Sequence, residues 1–392
     1  MSRIYIFTGK GGVGKSSVAA AHALRSAQTG QKTLLVSTDM AHNLGDIFEK
    51  QLGKEIETVF PKLDLYEIDP AYVMEHDYPE IITYLDKVMG AGGDLSDLGM
   101  IPGCEELFSL LRIADLYQEK LYDRIIVDCA PTGETLSLLK FPELLSWYME
   151  KLFPIGKVGV RVLSPISKAA FKIEMPNKQA MNDIEKMYTK LIGLQELLKD
   201  RDITSIRIVT MPEKMVVEET KRSYMYLNLY NFNVDGLYIN RILPEGMENA
   251  FFDQWIDIQK NYTRQLEETF AALPIRRIRW YDEELRGIRN IQRIVDDVLM
   301  EDEVFETKIL TEREQFLQTE NCFQLTVNIP GADKSDIDLY QAASDLVIKT
   351  GNFKRNIPLP NVLRTMEVSG AAFENGELKI RFEKSPEGYK GE

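Results

Sequence analysis

Cysteine is scarce in this chain: three in 392 residues, at Cys104, Cys129 and Cys322. Spacing that wide excludes a disulfide framework and a C-x-x-C zinc site. Basic charge is also in short supply, with 47 lysines and arginines against 61 acidic residues, a net charge of −14 and a pI near 5.0. General nucleic-acid binding needs a basic footprint. Here only the short Arg276-Arg277-Ile278-Arg279 cluster offers one, so no nucleic-acid partner is expected. No apolar run approaches the roughly 18 residues that a membrane span requires. Internal repeats and low-complexity tracts are absent too. A first strand that starts almost at the N-terminus leaves no room for a signal peptide. A cytoplasmic protein is therefore expected. The length argues for two or three folding units.

What the chain has is a phosphate-binding loop. Residues 9 to 17 read Gly-Lys-Gly-Gly-Val-Gly-Lys-Ser-Ser, in which Gly9, Gly14, Lys15 and Ser16 satisfy G-x-x-x-x-G-K-[ST]. The apolar run Ile4-Tyr5-Ile6-Phe7 precedes it and the Ala-rich helical stretch Val18 to Ala27 follows, which is the strand–loop–helix setting the motif needs. Backbone N–H groups of Gly11, Gly12, Val13, Gly14, Lys15, Ser16 and Ser17 then surround phosphate oxygens, aided by the helix dipole. Lys15 should reach the β- and γ-phosphates of ATP, and the Ser16 hydroxyl should ligate Mg²⁺.

The first 150 residues alternate short apolar runs with helical patterns, as a parallel α/β sheet requires. Strands are predicted at Ile4–Thr8, Thr33–Thr38, Leu63–Ile68 and Arg124–Asp128, and later at Ser205–Thr210 and Val234–Asn240. Residues of about 70–120 and 142–200 interrupt the alternation as a helical subdomain. One helix there carries Met181, Ile184, Met187, Tyr188, Leu191 and Leu198 on a single face. That face is either core or an adaptable apolar groove, a use to which methionine is suited. Glu301 to Glu320 is acidic and polar and reads as a helix end plus linker over 301–319. From about 320 to 385 the period changes to two: Phe323, Leu325, Val327, Ile329, then Leu346, Ile348, then Leu378, Ile380, Phe382. Pro330-Gly331, Gly351-Asn352 and Asn375-Gly376 separate these runs as turns, so a small all-β sandwich is expected. The fold class is thus α/β, a P-loop NTPase of residues 1–300 with a parallel sheet flanked by helices, followed by that sandwich.

A P-loop NTPase also needs a second acidic group near the metal and a means of positioning water. Asp128 ends the strand Ile125-Ile126-Val127, where a metal-linked carboxylate acting through water belongs. Asp39 terminates Leu34-Leu35-Val36-Ser37-Thr38, a place for a water-orienting carboxylate.

At this point a resemblance becomes specific. The two-lysine loop is similar to the deviant Walker A loop of partitioning ATPases, nitrogenase iron protein and the arsenite-pump (ArsA) and guided-entry targeting ATPases. Ser37-Thr38-Asp39-Met40-Ala41-His42-Asn43-Leu44-Gly45-Asp46 resembles the first switch of the ArsA/guided-entry branch, and Asp128 to Leu136 its second. Leu65-Tyr66-Glu67-Ile68-Asp69-Pro70 and Pro102-Gly103-Cys104-Glu105-Glu106 also resemble that branch. The resemblance implies a homodimeric ATPase in which Lys10 of each subunit reaches the phosphates held by its partner. It implies Asp39 as the water-activating residue, Asn240 as the reader of adenine, and an adenine-side loop from Leu273-Pro274 to Arg286-Gly287, with Pro274 among the nucleotide-binding residues. Met40 stands where a proline is usual and Glu134 where a histidine is usual. The zinc-linking C-x-x-C of eukaryotic targeting dimers is missing, so zinc is not expected. Nor do the pump's arsenite-binding cysteines have counterparts. The tail, through Ile329-Pro330-Gly331, Leu359-Pro360, Gly370-Ala371 and Asn375-Gly376-Glu377-Leu378-Lys379-Ile380, is similar to the α-crystallin domain of small heat-shock proteins. The implied function is an ATP-gated protein that binds a hydrophobic or amphipathic client. An arsenite-pump subunit and a partitioning ATPase of the MinD/ParA type are the alternatives.

Overall fold

A computed structural model describes residues 2–39, 43–79, 104–129, 189–190, 192–244, 250–307, 314–318, 322–342, 345–351, 353–359, 362–363 and 366–384. In chain order it contains β1 (Arg3–Thr8), α1 (Lys15–Gln28), β2 (Thr33–Ser37), α2 (Asn43–Phe48), β3 (Glu57–Phe60), β4 (Leu63–Glu67), α3 (Pro70–Asp77), α4 (Cys104–Gln118) and β5 (Arg124–Asp128). Then come β6 (Thr204–Thr210), α5 (Lys214–Leu229), β7 (Val234–Ile242), α6 (Ala250–Thr269), β8 (Ile275–Arg279) and α7 (Gly287–Val298). The C-terminal strands are β9 (Glu314–Gln318), β10 (Phe323–Asn328), β11 (Ile337–Ala342), β12 (Asp345–Thr350), β13 (Phe353–Pro358), β14 (Met366–Glu374) and β15 (Glu377–Lys384). The chain divides into two compact units, one of residues 1–11, 15–204 and 283–300, the other of 12–14, 205–282 and 301–392.

In the first unit the strand order is β3-β4-β2-β5-β1. The pairs β4–β2, β2–β5 and β5–β1 are parallel, whereas β3 joins β4 antiparallel at the edge. Strands β1, β2 and β5 are buried nearly end to end, hence their continuous apolar sequences. The register lines up the C-terminal ends: Phe7 beside Asp128, Asp128 beside Ser37, Ser37 beside Glu67. Helix α1 is buried on more than one side, and Ala19, Ala20, Ala21 and Ala23 are small enough to permit it. Helix α7 presents Ile291, Ile294 and Val295 to the core, and Gln292 accepts a hydrogen bond from Gln28 of α1 at 2.6 Å.

In the second unit β6, β7 and β8 run parallel in that order. The C-terminal region forms two antiparallel sheets, β14-β15-β10-β9 and β11-β12-β13. Leu325, Val327, Leu346, Ile348, Leu378, Ile380 and Phe382 are buried in them, as the period of two predicts. Phe323 is only half-buried. Asn375 (φ 52°) and Gly376 (φ 79°) form the two-residue turn joining β14 to β15, with the left-handed backbone that Asn-Gly favours.

This sandwich is seated on α5. Arg355 of β13, 7% exposed, donates to the carbonyl of Leu229 and pairs with Glu314 at 2.5 Å. The Tyr230 hydroxyl donates to the carbonyl of Lys354 at 2.5 Å, and Tyr226 meets Phe353 edge to face with centroids 5.0 Å apart.

The structure departs from the sequence expectations in three places. Glu314–Gln318, expected as linker, is strand β9, paired with β10 from Val327↔Glu314 to Phe323↔Gln318. Strands β3 and β8 were not expected at all. Of the helical subdomain, α3 and α4 fall within 70–120, and residues 192–199 are helical. The stretch 142–188, with Met181, Ile184, Met187 and Tyr188, and also Leu191, lies outside the described residues.

Candidate functional site

Helix α1 begins at Lys15, directly after the glycine-rich loop, because the loop needs residues without a Cβ to turn and the alanines beyond it favour helix. Gly14 shows the constraint most sharply. Its φ is +89°, and a Cβ built on it would lie 2.4 Å from Nδ2 of Asn240. That same amide donates to the carbonyl of Val13 at 2.8 Å, and Asn240 Oδ1 accepts from the N–H of Arg241 at 2.9 Å. Asn240, 3% exposed near the C-terminal end of β7, thus secures the loop. This contact was not foreseen. The sequence pointed to Asn240 only as a reader of adenine.

In the first unit four sequence-predicted residues form one electrostatic cluster. Asp128 is fully buried, and among the described residues neither of its carboxylate oxygens accepts a hydrogen bond. Burial pushes its pKa up to about 7. The Ser16 hydroxyl and the Lys15 ammonium oppose the rise without cancelling it, while the charge of Asp39 adds to it. The hydroxyl comes close without reaching hydrogen-bond geometry. Lys15 is itself 6% exposed. Asp39 is half-buried two residues past β2, and its N–H donates to Ser37 Oγ at 3.2 Å. Lys10, Ser16 and Ser17 are half-buried, Gly11 and Gly12 are exposed, and Val13 is buried.

A carboxylate held in this way is expensive unless something neutralises it. A hydroxyl and a carboxylate are hard oxygen donors, the kind that Mg²⁺ accepts while keeping several of its waters. The residues present therefore fit a divalent cation bound beside phosphates, which Ser16 and Asp128 would hold.

Pro274, expected at the nucleotide, lies at the other end of β7 from Asn240. It precedes β8 and stands beside Gly236, at the N-terminal end of β7, since Leu237 pairs with Ile275 and donates its N–H to the Pro274 carbonyl at 3.0 Å. Asn240 lies toward the other end of that strand. Pro274 instead lines a cavity of about 270 Å³ with Arg207, Asp235, Tyr238 and Arg276. The side of the sheet that Asn240 occupies is reached by the chain after Arg279, not before Ile275. Of the second switch, Cys129 is described and buried, and residues 130–136 lie outside the described residues, as do Met40, Ala41 and His42.

Sequence reasoning also missed the role of Glu67. It stands 9% exposed at the end of β4 and accepts the N–H groups of Leu44 and Gly45 at 2.9 and 3.0 Å. The available signal was the segment Leu65 to Pro70, noticed only as a likeness.

A parallel α/β fold, a glycine loop closing on the first helix and a buried acid ending a neighbouring strand define a P-loop nucleoside triphosphatase. More narrowly, the chain belongs to the anion-transporting ATPase (ArsA) family, whose profile matches residues 2–300, and the HSP20-like domain found in ArsA matches residues 320–382. It is similar to a protein of Prosthecochloris vibrioformis that bears the provisional name of an arsenical pump-driving ATPase, 34% identical over 393 residues, 98% of this chain and 97% of that protein. A relative of Aquifex aeolicus with a similar name is 32% identical across 96% of this chain and 99% of its own length. The ATPase get3 of Botryotinia fuckeliana is 30% identical over 302 residues, 74% of this chain and 87% of that protein. The chain is accordingly an ATPase of this family. Among the described residues no helix is long and apolar enough to cross a membrane.

Proposed function

We propose that the protein is a cytoplasmic, homodimeric ATPase that couples the nucleotide cycle to holding and releasing a hydrophobic or amphipathic client. The observation that carries the nucleotide part is Asp128, a sealed carboxylate that accepts no hydrogen bond from the described residues and stands beside Lys15 and Ser16. In this reading the backbone of residues 11–17 and Lys15 bind the phosphates of ATP, and Ser16 and Asp128 hold Mg²⁺. The bound metal supplies charge neutralisation on the phosphates. Asp39 orients the attacking water and accepts its proton. Lys10 reaches the partner subunit's nucleotide and stabilises charge on the phosphoryl group as an arginine finger does. Asn240 faces the adenine. The ATPase domain occupies 1–300 and the α-crystallin-like sandwich 320–385, to whose strand β10 the preceding segment Glu314–Gln318 adds β9.

Mixing mutants tests the trans role of Lys10. Lys10→Ala and Asp39→Asn are each expected to bind ATP and barely hydrolyse it. Combined and re-equilibrated, they should recover about a quarter of wild-type turnover, since half the dimers then carry one complete site. No recovery would put Lys10 in its own subunit's site. Client binding is tested by polar replacements at Met181, Met187 and Leu191, which should weaken capture of an apolar peptide more than ATP hydrolysis.

A second reading is an arsenical-pump ATPase, favoured by relatives of that name that match 96–98% of the chain, sandwich included. Arsenite-stimulated hydrolysis would support it. Stimulation by an apolar peptide and indifference to arsenite would support the first.

A further inference from the structure

Glu67 ends β4 directly beside Ser37, the last residue of β2, with the two strands in parallel register. Its Oε1 accepts two hydrogen bonds, from the backbone N–H groups of Leu44 and Gly45. These belong to the first turn of α2, where N–H groups have no partner within the helix and a negative charge is favoured. The connection from Ser37 to α2 contains Asp39, whose N–H is held by Ser37 Oγ at 3.2 Å. The near end of that connection is therefore fixed to β2 and the far end to β4. One buried carboxylate makes the second attachment. Among the described residues Glu67 is the side chain that receives both amides.

We infer that Glu67 is a positioning residue for hydrolysis: by tying the start of α2 to the end of β4, beside the β2 end that carries Asp39, it helps hold Asp39 toward the attacking water. The inference rests on the reading of Asp39 as the water-activating carboxylate. It also gives a physical reason for the segment Leu65 to Pro70, which carries no phosphate-loop residue. In this reading Glu67 acts through the backbone of α2. Loosening its grip leaves the phosphate-binding residues in place and misplaces Asp39, and a shift of about 1 Å in such a group can cost on the order of 100-fold in rate.

The test uses the full chain with Mg-ATP, measuring kcat, KM and the affinity for a fluorescent ATP analogue. Glu67→Ala should lower kcat about 10- to 100-fold, with analogue affinity and KM held within about threefold. Glu67→Gln keeps an acceptor oxygen at the same reach and should recover most of kcat. Glu67→Asp keeps the charge but falls one methylene short, and should turn over more slowly than Glu67→Gln. Asp39→Asn, run alongside, should bind the analogue and not hydrolyse. Wild-type kcat in Glu67→Ala beside an inactive Asp39→Asn would overturn the tether alone. Wild-type kcat in Asp39→Asn would overturn the reading beneath it. Should Glu67→Ala fail to fold, the order of Glu67→Gln and Glu67→Asp decides, and equal or reversed rates refute the proposal.

Discussion

Asp128 and Arg355 are both charged and both sealed from water, yet their surroundings are opposite. Arg355, in the C-terminal sandwich, donates to the Leu229 carbonyl and pairs with Glu314. Asp128, at the end of β5, accepts nothing from the described residues on either oxygen. A buried ion with its hydrogen bonds made is part of the structure's own fabric. One without them stores a cost that only an incoming group can remove. The contrast separates a seam that is complete in the isolated chain from a site that, on the proposed function, Mg-ATP would complete. It is also why the first is read here as structural and the second as catalytic.

The sharpest way to break this contrast is to neutralise each charge. Asp128→Asn should reduce Mg-dependent ATP hydrolysis by at least about 100-fold, assayed by phosphate release. The same substitution should remove a pH-dependent weakness of the metal-free protein. Because folding raises the pKa of Asp128 to about 7, the fold favours the protonated form. Stability is therefore intact below its unfolded value near 4 and is lost as pH climbs from there through 7. Denaturant unfolding without Mg²⁺ should show that slope in the wild type and a flatter profile in Asp128→Asn. A steeper profile in the mutant would mean that the carboxylate is satisfied after all.

Arg355→Ala should have the opposite character. Stranding Glu314 and the Leu229 carbonyl should destabilise the seat of the sandwich by about 3–5 kcal/mol, visible as earlier unfolding and faster proteolysis between residues 307 and 322. Basal nucleotide binding should change little. Smaller still is Tyr230→Phe, which removes one hydrogen bond to the Lys354 carbonyl and should cost about 1 kcal/mol in the same unfolding assay. If Arg355→Ala abolished ATP binding, the two regions would not be as separable as their chemistry suggests.

Much of the fold was legible because local chemistry and global structure agree. The two-lysine loop lay between an apolar strand and an alanine-rich helix, and the Asn375-Gly376 turn announced its own hairpin. The three missed strands share one property: β3, β8 and β9 all end the strand order of their sheet within its unit. Edge strands are guarded by charge and polarity. The sequence of β8, Ile-Arg-Arg-Ile-Arg, and that of β9, Glu-Gln-Phe-Leu-Gln, consequently look like surface segments. Asp39 and Asp128 could be picked out because each ends an apolar run. The roles of Glu67 and Arg355 could not. Their partners are backbone groups 22 and 126 positions away, and no pattern of side chains records such a bond.

Arg207 holds more than its ion pair with Asp235, made at 3.2 Å. Its guanidinium also donates to the Val304 carbonyl at 2.6 Å, which pins the chain just after the ATPase domain. From Val304 to Glu314 the polypeptide can extend at most about 36 Å. A sandwich released from α5 would therefore remain on a short leash, at an effective concentration near the millimolar range. Undocking would then be a local excursion and not a dissociation. An agent that competes for the face of α5 must outbid that concentration, whereas a cut in the leash would make even weak competitors effective.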